Sequence, residues 1–157
     1  MEVTITINGT TQSHDVEPRT LLVHYIREHA GLTGTNIGCD TSSCGACSIH
    51  LNGEAVKSCT VLAVQADGQE VRTIEGMAAA DGTLHPVQQG VVDEQGFQCA
   101  FCMSGFIMAT VGYLKKNPNP TREQLAHGIS GNLCRCQDYD KILTAMMCGA
   151  ENMRKKA

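Results

Sequence analysis

The sequence contains no tryptophan, and aromatic residues make up only 4% of its 157 positions. There is no broad aromatic platform on which bases or sugars could stack. A surplus of positive charge is missing too: the formal net charge is −4, and Lys155–Lys156 is too short to act as a basic stripe. No nucleic-acid partner is therefore expected. No apolar run follows Met1, and none elsewhere reaches the length of a membrane span. Neither a signal peptide nor direct membrane insertion is expected, and the default location is cytoplasmic. What the chain does have is cysteine, nine residues of it. Without an export signal, thiols in such number point to metal or redox chemistry rather than to disulfides.

Eight of the nine fall into two quartets. Cys39, Cys44 and Cys47 form a C-x4-C-x2-C run, with Cys59 following after eleven intervening residues. Cys99-x2-Cys102 and Cys134-x-Cys136 form two close pairs separated by 31 residues. Four thiolates are what a [2Fe–2S] rhomb requires, two for each iron. The first spacing is the plant-ferredoxin arrangement, whose potential lies near about −400 mV. Its loop is rich in small residues, and Gly38 and Gly45 let backbone N–H groups approach the sulfurs. In the second quartet a C-x-C pair is awkward for a single ion but suits a cluster held between helix ends. Structural zinc stays open as the alternative for both, more so for the second.

The pattern along the chain predicts an α+β fold. Residues 2–8 alternate, with Val3, Ile5 and Ile7 on one face, and Asn8-Gly9 signals a hairpin into a second strand at Gln12–Val16. A helix follows, with Thr20 as N-cap, Leu21, Leu22, Tyr25, Ile26 and His29 at helical spacing, and Gly31 as its stop. Strands are predicted at Cys47–Leu51 and Ala55–Cys59, around an Asn52-Gly53 hairpin, and at Val71–Ile74. Together these give a β-grasp style domain over residues 1–76. Residues 77–157 read as four helices. The first starts at Pro86 with a Val87, Val91, Val92 stripe, and the second uses Phe106, Ile107, Thr110, Val111 and Leu114. A Thr121-x-x-Gln124 capping box opens the third, and Ile142, Leu143, Met146 and Met147 mark the fourth.

Three runs carry a specific resemblance: Gly38-Cys39-Asp40-Thr41-Ser42-Ser43-Cys44-Gly45-Ala46-Cys47, Gln98-Cys99-Ala100-Phe101-Cys102, and Gly131-Asn132-Leu133-Cys134-Arg135-Cys136. With Val16–Gly31, Lys57-Ser58-Cys59-Thr60 and Thr73-Ile74-Glu75-Gly76-Met77, the chain resembles the iron–sulfur small subunit of the xanthine oxidase family of molybdenum hydroxylases. Within that family it is most similar to the small subunit of aerobic, molybdenum-containing carbon monoxide dehydrogenase.

The resemblance implies a plant-ferredoxin-like N-terminal domain and a C-terminal four-helix-bundle domain, each with one [2Fe–2S] cluster. It implies that Cys99, Cys102, Cys134 and Cys136 hold a cluster proximal to molybdopterin, of the cytosine dinucleotide type. Cys39, Cys44, Cys47 and Cys59 would hold a distal one nearer FAD. Gln98 and Cys136 would approach the pterin. The molybdopterin and FAD would sit in a large and a medium partner subunit, in a dimer of heterotrimers, and this chain would hold no catalytic site for substrate.

Three departures surround the second quartet. Ala100 stands where the family usually has Gly, Ser104 where it has Pro, and Gln137-Asp138 where it has Thr-Gly. They point either to altered pterin contacts or an altered proximal potential, or to neutral drift at positions around the ligands. The same role in an N-heterocycle or aldehyde hydroxylase is the runner-up. A free-standing two-cluster carrier and a zinc-stabilised interaction module are the alternatives from other classes. Cys148, outside both quartets, reads as a packing residue. The six histidines show no paired metal spacing.

Overall fold

The structure, a computed structural model, describes residues 1–156. Strands β1 (Glu2–Ile7) and β2 (Thr10–Asp15) form the predicted hairpin, in register from Glu2 opposite Asp15 to Ile7 opposite Thr10. Its turn works because Asn8 and Gly9 both take positive φ, 51° and 81°, which matches the twist of the flanking strands. Asn52 and Gly53, at 49° and 86°, do the same between β3 (Ser48–Leu51) and β4 (Glu54–Lys57). The last strand, β5 (Glu70–Arg72), enters the middle of the sheet, parallel to β1 and antiparallel to β3. The order is β2-β1-β5-β3-β4.

Helix α1 (Leu22–His24) runs directly into a π-helical turn, Tyr25–His29, and both lie over this sheet. Leu22, Tyr25 and Ile26 join Val3, Ile5, Ile7, Ile49 and Val71 in one core. The Tyr25 hydroxyl lies 3.2 Å from the Val3 carbonyl and 3.3 Å from that of Gln12, so the one buried polar end finds acceptors. Thr20 is not the N-cap. Leu21 occupies that position without a side-chain cap, because it forms a bridge with Leu62. Backbone bonds from Leu22 N to Val61 O and from Ala63 N to Thr20 O satisfy the entry instead. Gly31 does end the helix, at φ 70°.

Two other segments differ from the sequence pattern. β4 stops at Lys57, and Cys59 lies in a 3₁₀ turn, Ser58–Thr60. β5 stops at Arg72, and Ile74 opens another 3₁₀ turn.

Four helices follow: α2 (Pro86–Glu94), α3 (Met103–Lys116), α4 (Arg122–Gly128) and α5 (Tyr139–Lys156). They enclose a second core that includes Val87, Phe106, Met108, Val111, Leu114, Leu125, Ile142 and Met146. The expected capping box is formed: Gln124 N donates to Thr121 Oγ1 at 3.2 Å, and Thr121 N to Gln124 Oε1 at 2.9 Å. Val92 turns outward, 54% exposed, so the α2 stripe narrows to Val87 and Val91. Helix α3 also packs across β3 and β4. Buried His50 donates from Nε2 to the Met108 carbonyl at 2.8 Å, Gly112 lies against Ala55, and Lys115 Nζ reaches the Gly53 carbonyl at 3.1 Å. The mixed α/β chain thus has two cores joined along one helix.

The tightest helix contact is between α2 and α5. A Cβ on Gly90 would lie 2.6 Å from both the Ala145 carbonyl oxygen and Gly149 N, and one on Gly149 would lie 2.7 Å from Val87 Cα. In an open helix Ala is preferred to Gly by roughly 0.5–1 kcal/mol. Here Gly90→Ala should instead destabilise by about 1–3 kcal/mol, as expected of overpacking against backbone. A thermal melt checks this, and an unchanged or raised midpoint would show that the helices separate freely.

Candidate metal centres

The first quartet lies on the loop between the π-helical turn and β3, closed by the 3₁₀ turn after β4. Backbone amides point at its sulfurs: Cys44 N approaches Cys39 Sγ at 3.4 Å, and Ala46 N approaches Cys44 Sγ at 3.5 Å. This closeness needs bare backbone, since a Cβ on Gly38 would lie 3.0 Å from Cys44 Sγ. Lys57 holds the loop from β4, its Nζ donating to the carbonyls of Ser42 and Ser43 at 3.0 and 3.2 Å. The amide of Cys44, with further donors in the loop, brings the Cys39 thiol down to about 6. Burial, with the neighbouring Cys59 thiol, pushes Cys47 up to about 11.

The second quartet straddles two loop ends. Cys102 is the N-cap of α3, Cys99 lies just before it, and Cys134 and Cys136 lie between α4 and α5. Cys136 Sγ lies 3.5 Å from Cys99 Sγ. All four line one small cavity, together with Gln98 and Asp138. Gln98 Nε2 is 3.4 Å from Asp138 Oδ2, at the edge of a hydrogen bond. Burial and the Cys134 thiol push Cys102 up to about 12, whereas the amide of Phe101 lowers Cys99. The Tyr139 hydroxyl accepts from Cys134 N at 2.9 Å, a contact the sequence did not announce. Two of the unusual residues have left-handed backbone: Ala100 at φ 61° and Gln137 at φ 64°. A Gly at position 100 would meet that demand without strain, whereas Ala carries its Cβ into it.

The thiols meet two by two. All are free thiols, with Cys39 beside Cys44, Cys47 beside Cys59, Cys99 beside Cys136 and Cys102 beside Cys134. Among the described residues no three His, Cys, Asp or Glu side chains converge as on a single ion. Two pairs per quartet, all sulfur and supplied with backbone N–H donors, are the donor set of a [2Fe–2S] rhomb, and the residues fit that group. A cleft of about 560 Å³ is lined from both quartets, by Cys39 and Cys44 on one side and Cys99, Cys102 and Cys134 on the other. Phe101, Leu133 and Tyr139 stand around it, each more than two-fifths exposed. Arg135 lines the same cleft. Cys148 stays apart, half-buried on α5, its Sγ near Asn152 Nδ2. The histidines build no metal site, but His14 and His29 pack with Tyr25 as a ring cluster.

Comparison with known proteins follows the same division. A family described as 2Fe-2S iron-sulfur cluster binding domain matches residues 5–80. A second, described as [2Fe-2S] binding domain, matches residues 73–147. The nicotine 6-hydroxylase small subunit of Paenarthrobacter nicotinovorans is 40% identical over 147 residues, covering 94% of this chain and 88% of that one. The caffeine dehydrogenase subunit gamma of Pseudomonas sp. (strain CBB1) is also 40% identical, covering 92% and 87%. Among solved structures, quinoline 2-oxidoreductase from Pseudomonas putida 86 superposes with a TM-score of 0.92 at 39% identity, over 99% of this chain and 96% of that chain. The aldehyde oxidoreductase from Desulfovibrio gigas superposes with a TM-score of 0.91 at 37% identity, over 100% of this chain but only 18% of that chain.

Two measurements test the local chemistry. In cluster-free protein at pH 7, iodoacetamide should modify Cys39 first, with half-maximal rate near about pH 6, and Cys47 and Cys102 last, because the thiolate is the nucleophile. Mass spectrometry of the labelled peptides reads the order, and equal rates would refute it. Ala100→Gly should stabilise the chain by up to about 1 kcal/mol, relief of left-handed strain being partly offset by the freedom of Gly when unfolded. A lowered melting midpoint would show that the strain is absent.

Proposed function

Because the chain belongs to the family of iron–sulfur small subunits of molybdenum hydroxylases, we propose that it carries electrons from a molybdopterin site in a large partner to FAD in a medium one. In this reading residues 1–76 are a plant-ferredoxin-like β-grasp domain and residues 77–157 a four-helix-bundle domain. Cys39, Cys44, Cys47 and Cys59 hold the distal [2Fe–2S] cluster. Cys99, Cys102, Cys134 and Cys136 hold the proximal one. Each cluster, when bound, takes up and releases one electron. The observation that carries the proposal is the gathering of eight free thiols into two sets of four, one under backbone amides of its own loop and the other around one small cavity.

The chain's own residues supply ligation, charge balance and shelter. Amides of Cys44 and Ala46 donate to sulfur and offset part of the negative charge of four thiolates. Lys57 adds a cation beside the same loop. Cys102 and Cys134, half-buried and buried, keep one wall of the second site away from water. Gln98 and Cys136 form the face toward the pterin. The strained Ala100 and Gln137 shape the backbone on that side and set the proximal potential apart from that of relatives with Gly and Thr there.

Substrate choice lies with the large partner. The names of the relatives support an N-heterocycle or an aldehyde as its substrate class more than carbon monoxide. The apolar Phe101, Leu133 and Tyr139 at the cleft favour a chain covered by partners, in a dimer of heterotrimers, over a free carrier.

Loaded protein should contain about four iron and about four acid-labile sulfide per chain, with two distinct EPR signals on reduction. Cys39→Ser should remove one signal and Cys99→Ser the other. Zinc without iron would end the proposal. Purification of the chain free of molybdopterin- and FAD-containing subunits, from cells that express all of them, would favour the solitary carrier.

A further inference from the structure

The loops that carry the two quartets are fastened to each other. Leu133 N donates to the Cys44 carbonyl at 2.8 Å, and Asn132 Nδ2 donates to the adjoining Gly45 carbonyl at 2.9 Å. Asn132 is buried, 6% exposed. The Gly45 carbonyl already accepts from Ser48 N at 3.1 Å and from Ser48 Oγ at 2.7 Å. A carbonyl oxygen has two lone pairs, so the Asn132 amide does not rescue an orphaned acceptor. What it adds is position.

The surrounding packing leaves no slack. A Cβ on Gly45 would lie 2.7 Å from Asn132 Nδ2, and Gly105 of α3 is pressed against the Gly45 carbonyl. A Cβ on Gly105 would also lie 2.8 Å from Ala46 Cα. Three segments therefore meet backbone to backbone between the two sets of thiols. Across this seam the route from Cys44 to Cys134 contains a single non-covalent link, the Leu133 N–H to Cys44 carbonyl bond. Leu133 is covalently joined to Cys134.

We infer that Asn132 is a positioning residue for electron passage between the two clusters: it clamps the loop of Cys134 onto the loop of Cys44 and keeps the bridging bond at Leu133 formed. The inference rests on the two-cluster reading above. In the step it serves, one electron leaves the reduced cluster on Cys99, Cys102, Cys134 and Cys136. That electron reduces the oxidised cluster on Cys39, Cys44, Cys47 and Cys59, and no proton or atom moves with it.

The test uses the cluster-loaded full chain in three forms: unsubstituted, Asn132→Ala, and a chain with an ester in place of the Asn132–Leu133 peptide bond. The ester replaces the Leu133 N–H with an oxygen that cannot donate and leaves every side chain in place. Iron content, the midpoint potential of each cluster, the spin–spin splitting of the fully reduced EPR spectrum and the intercluster rate after pulse radiolysis are measured together. The expected result is full iron content and unchanged potentials, with loss of the splitting and a several-fold slower intercluster rate in both altered chains. Should Asn132→Ala fail to retain iron, the ester chain decides by the same readings. A loaded altered chain with the original splitting and rate overturns the inference and leaves the two-cluster reading standing. Absence of two reduced signals in the unsubstituted chain overturns both.

Discussion

Bringing four sulfur anions within a few ångströms of one another is the constraint on which the rest of this structure depends. Each thiolate resists the next, and burial raises the cost, as the elevated Cys47 and Cys102 thiols show. The protein answers with backbone amides and with metal in place of protons. Amides can point inward only where side chains do not intervene, hence the glycines and small residues of the 38–47 loop. A loop so thin cannot hold its own shape. The sheet, the π-helical turn and the four helices act as abutments for it and for its counterpart at 129–138.

Much of this was legible because it is local. Asn8-Gly9, Asn52-Gly53 and the Thr121 capping box declare themselves within four residues, and the structure forms each. What escaped the sequence is held by partners distant along the chain. Thr20 looked like an N-cap, but the 61–63 segment reaches over and pairs with the helix entry, leaving a hydroxyl cap unnecessary. The π-helical turn keeps the predicted apolar spacing of Tyr25 and Ile26 and so left no mark on the pattern. The quartets were visible as counts and spacings, whereas the way the thiols pair within them was not. Asn132 and Lys57 stood inside recognised runs without a role, since their acceptors lie 87 and about 15 residues away. The oddness of Ala100 was plain from the departure from the family pattern; its left-handed backbone was not.

The two halves differ in how they meet the same demand. The first loop relies on glycine, on Ser42 in left-handed backbone at φ 59°, and on Lys57, a cation on a flexible stem. The second relies on helix α3, the Tyr139 hydroxyl and two residues in a conformation that suits glycine better. Strain of that kind persists only where surrounding packing over-determines it.

Helix α3 begins at Cys102 and is bolted midway to β3 and β4 by His50, Gly112 and Lys115. It therefore works as a gauge bar between the two centres. Tunnelling is steep in distance, and a helix anchored to the sheet ties the second set of thiols to the strands beside the first. In the proposed two-cluster reading the interval between the centres is set within this one chain, so a complex that receives it need not set one.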